Sequence, residues 1–190
     1  MSSKEIEYGE RRAQGLYIDE PKDLYNAENQ LLKALPKIAK AASSEELRQG
    51  FNEHLEADPR TCRTPRAHLQ VLGYQSQGEE CMGMVGLVKE GSDVMGEDFD
   101  HAVMDAALIG AAQRVEHYEI AAYGTVSEFA KILGKAQHVS LLQETLEEEK
   151  ETDEKLTDLA KEINSQANEG TEQEGSRPNG NRRTKRTARN

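Results

Sequence analysis

An all-α fold, four amphipathic helices in one bundle with a long crossover between its halves, is what this sequence predicts. Three observations carry the expectation. Positions 108, 112, 115, 119, 122, 126, 129 and 133 step alternately by three and four residues, and so do 142, 146, 149, 153, 156, 160 and 163. That spacing keeps side chains on one helical face. Composition favours helix over strand, with many Ala, Leu, Glu, Lys and Gln residues and only 5% aromatics among 190 residues. Third, both stripes are apolar except at their middles, where Glu119, Glu149 and Asp153 stand. An unpaired buried carboxylate costs several kcal/mol (roughly), so it must be protonated, paired or bound to a cation.

Length and charge set the outer limits. A chain of 190 residues suffices for one domain with a real core and flanking tails. Six Arg and Lys residues face Glu172 and Glu174 between positions 171 and 190, a local +4 in a chain of net −11, which leaves −15 on residues 1–170. Nucleic acid is therefore excluded as the main partner of the folded part. Cys62 and Cys81 form no CxxC pair and no disulfide framework, which makes a reduced cytoplasmic compartment the expectation. The opening MSSKEIEYGERR lacks an apolar signal region, and no apolar run is long enough to span a membrane.

Taken in order, residues 1–18 read as a polar, flexible arm. Asp19-Glu20-Pro21 marks a helix start, with an acidic first turn and a proline at its head. The stripe Leu24, Glu28, Leu31, Leu35, Ile38 comes next, kinked at Pro36, again with an acid inside an apolar series. Taken alone, Glu28 reads as the wet edge of that stripe. Ser43-Ser44-Glu45-Glu46 caps a second helix whose inner face is Leu47, Phe51 and His54. A lone histidine on an apolar face is most often structural.

Beyond it, DPRTCRTPRAHL (58–69) carries two prolines and no helical stripe. Residues 79–96 form a glycine-broken connecting helix in which Cys81 is a small core residue rather than a ligand. The third long helix runs from about His101 to Leu133 and stops at Gly134. It places Glu116 one turn before Glu119, so the two acids can point to one locus. The fourth spans about Gln137 to Ile163. The bundle then occupies 19–164, and residues 165–190 form a disordered basic tail from which no core can be built.

Each of the four helical patterns thus places a metal-type ligand near mid-stripe: Glu28, His54, Glu116 with Glu119, and Glu149 with Asp153. In a four-helix bundle these meet at one level, the way dinuclear carboxylate sites are built. Mostly oxygen donors suit two ions of iron, with manganese the alternative, rather than a closed zinc site. The bland alternative is a buried acid network that shares protons without metal.

The runs DLYNAENQLLKALPKIAKAA, FNEHLE, DAALIGAAQRVEHYEIAAYGT and LLQETLEEEKETDEKLTDLA closely resemble the YciE/YciF family of ferritin-like stress proteins, across about residues 17–163. The resemblance implies a ferritin-like four-helix bundle, a homodimer, and ferroxidase-type or peroxide-related chemistry with oxygen or peroxide as the partner. It implies the ligands Glu28, His54 with Glu56, Glu116 and Glu119 in Glu-x-x-Glu spacing, and Glu149 with Asp153, and no catalytic residue beyond them. The competing reading is a non-catalytic, stress-induced structural or interaction protein with a degenerate site. The tail NRRTKRTARN adds at most weak, salt-sensitive nucleic-acid contact.

The second helix departs from the family phrase HLEETRGRVERLEHIF. Position 57 is Ala rather than Glu, and residues 58–69 do not match the phrase. Suitable codons for Asp58–Leu69, read one base later, give TRGRVERLEHIF, so a pair of compensating frame shifts accounts for the segment. Gene codons incompatible with that shift would refute this account. The physical expectation is a weakened second helix and poorer occupancy of one metal position, because an interior proline costs about 3 kcal/mol.

Overall fold

The computed structural model describes residues 3–61 and 80–175, with side chains at 14–55 and 80–168. These residues form helices and turns, without strands. The helices are α1 (Ser3–Ala41), α2 (Glu45–Thr61), α3 (Met82–Val94), α4 (His101–Ile132) and α5 (Ala136–Gly175). Among the described residues no helix is long and apolar enough to cross a membrane.

α1, α2, α5 and α4 stand in that cyclic order, each packed on the next, and α3 lies on the crossover against α1 and α4. The expected four-helix bundle with an extra short helix on a long crossover is therefore the observed fold. Local chemistry punctuates it as the sequence requires. The Ser44 hydroxyl accepts from Leu47 N at 3.3 Å and starts α2; Asp100 accepts from Val103 N at 3.0 Å and starts α4. Gly134 takes φ +67, the left-handed turn that ends α4 and that a side chain would strain. The Cys81 thiol caps α3 by accepting from Met84 N at 3.4 Å, so it is buried as expected but also does a polar task.

Two helix limits differ from expectation. α1 begins at Ser3, not at Asp19, and passes through both Pro21 and Pro36. Residues 3–18 are thus not an irregular arm. Their polar text hid an anchor, Tyr17, which is fully buried and hydrogen-bonds through its hydroxyl to His138 Nδ1 on α5. α5 likewise continues beyond Ile163 to Gly175. Once a helix is nucleated, each further residue adds one hydrogen bond for one residue fixed, and the segment carries the helix formers Glu and Gln. The second helix keeps a helical backbone through Pro59 to Thr61. Most of the 57–69 departure, Pro65 included, and the basic tail from 176 onward lie outside the described residues.

Two apolar clusters close the ends of the bundle. One holds Ala39, Leu47, Phe51, Leu108, Ile109, Leu156 and Ile163; the other holds Tyr17, Leu24, Tyr123, Val126, Ala130 and Leu142. Along α1, α4 and α5 the buried acids fall between them. The ends supply the hydrophobic stabilisation, which frees the middle for polar groups.

Candidate metal centre

Glu28 on α1, Glu119 on α4 and Glu149 on α5 are each 1% exposed, and Glu116 on α4 is 3% exposed. His54, its side chain 9% exposed, comes from α2. One ligand atom from each of His54, Glu116, Glu119 and Glu149 lies within 4.8 Å of the other three. His54 Nε2 stands 3.9 Å from Glu116 Oε1. Residues separated by up to 95 positions in the chain thus share one small polar volume inside an apolar bundle.

Glu28 joins this group through Tyr123, whose hydroxyl donates to Glu28 Oε1. Tyr123 is fully buried, one turn after Glu119 on α4. Burial first, then the neighbouring Glu28 and Glu119 charges and the hydrogen bond to Glu28, and finally the Glu149 charge, hold its phenol well above the usual range. The phenol therefore keeps its proton and acts as a fixed donor to Glu28. Its spacing was legible, since Tyr123 comes four residues after Glu119, but nothing in the sequence said which acid it would hold.

Asp153 is not brought into the same cluster. It accepts from Gln113 Nε2 at 3.2 Å and lies 3.4 Å from Nε2 of exposed His117, on the seam between α4 and α5. Four residues turn a helix by about 400°, so position 153 is rotated by roughly 40° from position 149. That rotation moves Asp153 from the centre line to the α4–α5 edge. The side chain of Glu56 lies outside the described residues.

Sequence reasoning passed over three further polar devices. Asp105 on α4 is buried and accepts from Ser43 N at 2.8 Å and Ser44 N at 2.7 Å, so it holds the α1–α2 turn from across the bundle. Tyr118 donates to Asp23 Oδ2 at 2.6 Å and lies 3.0 Å from the Cys81 thiol, which ties α4 to α1 and α3. Tyr17 and His138 stack as well as hydrogen-bond. Burial, then the charge of Lys135, keeps the His138 pKa below its ordinary value of 6.5.

The donor set fits a metal. Three carboxylates packed this closely repel one another strongly in a medium of low dielectric when ionised. A cation offsets that cost, and oxygen-rich donors with a single nitrogen match iron or manganese.

Comparison with known proteins agrees with this architecture. Residues 12–169 match the family model described as a domain of unknown function, DUF892. The chain is 47% identical over 139 residues to Protein YciF of Escherichia coli (strain K12), which covers 73% of this chain and 84% of that protein. The crystal structure of the E. coli stress protein YciF superposes with a TM-score of 0.74 at 43% identity, over 80% of this chain and 97% of that one. YcfI from Rhodopseudomonas palustris, described provisionally as a structural protein, gives a TM-score of 0.74 at 39% identity over 76% and 92%.

Proposed function

The chain belongs to the YciE/YciF family, whose domain model is DUF892, and on that premise we propose that it is a dinuclear-metal carboxylate protein of the stress response. One observation carries the reading: His54, Glu116, Glu119 and Glu149, drawn from three helices, offer ligand atoms within 4.8 Å of one another in a buried volume. These four, with Glu28 beside them, would hold the ions, iron by preference and manganese as the alternative. The chemistry such ions supply when bound is electron exchange with oxygen, peroxide or ferrous iron.

The chain's own residues do the rest. Tyr123 fixes the rotamer of Glu28 and stays protonated. The apolar clusters on either side of the acids lower the local dielectric and strengthen their hold on a cation. His54 supplies the nitrogen from α2, the wall nearest solvent. The protein works in the cytoplasm as a homodimer on this reading, with the tail limited to weak, nonspecific contact with nucleic acid.

The experiment is metal analysis of the purified protein after loading with iron or manganese, beside Glu119→Ala. Stoichiometric metal in the wild type and its loss in the variant are expected; no bound transition metal under any loading condition refutes the reading. A second reading, a stress-induced interaction protein without turnover, is favoured by the departure of the second helix from the family phrase, with Ala57 standing where the phrase has Glu. An intact fold with no turnover of peroxide or ferrous iron selects it.

A further inference from the structure

Beside the ligand cluster the bundle wall is open among the described residues. A cavity of about 230 Å³ lies between α1, α2, α4 and α5, and His54, Glu116 and Glu149 form part of its lining. Most of the remaining lining is apolar: Leu31, Leu35, Phe51, Ala112, Val115 and Leu156. Exposed Glu53, Glu151 and Lys155 stand where the cavity meets solvent.

Interiors pack nearly as densely as organic crystals, so apolar space of this size is anomalous. A cavity of about 150 Å³ with aliphatic walls stays dry and takes up benzene. This one is larger and has room for roughly ten non-hydrogen atoms by the same measure. It also differs in having one polar patch, which is the candidate metal centre itself. Carboxylates dominate both that patch and the rim, so in the metal-free chain an anionic head group is repelled and a neutral one is not.

Gly50 leaves room at the cavity wall. It lies on α2 and lines the cavity, and a Cβ added there meets nothing within 4 Å. Glycine is a poor choice inside a helix, and any larger residue at this position has room to grow into the cavity.

We propose that this cavity binds a neutral organic molecule of about ten non-hydrogen atoms, with its apolar body against Leu31, Leu35, Phe51 and Val115 and a single hydroxyl- or hydroperoxyl-type oxygen toward His54, Glu116 and Glu149. As a statement about the centre's substrate class, which is organic rather than water-sized, it rests on the metal reading above; binding to the cavity does not.

The test uses the full chain stripped of metal, titrated calorimetrically with 2-phenyl-2-propanol. Saturable one-to-one binding is expected. Gly50→Phe and Ala112→Leu, each checked by circular dichroism for wild-type helicity, should weaken it at least tenfold, and benzoate should bind at least tenfold more weakly than the alcohol. Absence of saturable binding to the wild type overturns the proposal, and this includes the case in which another part of the chain fills the cavity. Equal binding by both folded variants overturns it too, and benzoate binding as tightly as the alcohol overturns the neutral head group. Metal content measured on the same preparations separates the two readings. Alcohol binding without metal loading leaves the cavity site standing and removes the metal centre; metal loading without alcohol binding does the reverse.

Discussion

The two hairpins of this bundle contribute unequally to its centre. The α4–α5 hairpin, built from helices of 32 and 40 residues, supplies Glu116, Glu119 and Glu149, all nearly inaccessible. The α1–α2 hairpin supplies Glu28, held by Tyr123 of the other hairpin, and His54 from α2. One half is a rigid set of acids fixed by its own packing. The other completes the site and borders its opening, since Gly50, Phe51 and His54 all line the cavity.

If that division is right, cutting the connection between hairpins should do the most damage. Asp105→Ala removes the acceptor of two amides at the α1–α2 turn and should cost about 3 kcal/mol of stability, read from urea or thermal unfolding. Retention of wild-type stability would show that the hairpins hold together without it.

Next in size, Glu119→Ala should lower metal affinity by about a hundredfold or more, because it takes a ligand from the rigid half. His54→Ala takes one from the other half and should cost only about tenfold. A loss for His54→Ala equal to that for Glu119→Ala would break the asymmetry. Tyr123→Phe keeps every ligand and removes only the donor to Glu28; an effect of about tenfold on metal affinity, with folding stability nearly unchanged, would place it as a positioning residue.

The smallest effect concerns the Tyr17–His138 contact between α1 and α5. The His138 pKa is lowered in the folded chain, so the unfolded chain takes up the proton first as pH falls. The contribution of neutral His138 is therefore fully present above the ordinary value of 6.5 and is lost as pH falls below it toward the depressed folded value. The melting temperature should fall over that window, and His138→Gln should flatten the dependence.

Ala57→Glu alone should not restore full stability, because Pro59 and Pro65 remain. Sequencing the gene across codons 57–70 tests the frame-shift account directly.

Much of this protein is written in its local text. The three- and four-residue steps fixed α4 and the inner part of α5, because a helix of 3.6 residues per turn leaves few other ways to turn Leu108 and Val115, or Leu142 and Leu156, inward on one helix. Ser44, Asp100 and Gly134 were readable as punctuation, because caps and left-handed turns depend on a few adjacent residues. Even the acids of the centre were visible, since a carboxylate in an apolar stripe is conspicuous by its cost.

Tertiary structure alone decided the rest, and for one reason: every such feature is a contact between residues far apart in the chain. Tyr17 found His138 across 121 positions, and α1 is anchored where the text looked like an arm. Asp105 found the α1–α2 turn, and Tyr123 chose Glu28 from among the acids. The same packing turned Asp153 toward Gln113 and left an open cavity beside Glu116 and Glu149. Helical periodicity states which face a residue is on; only the packed bundle states what that face meets.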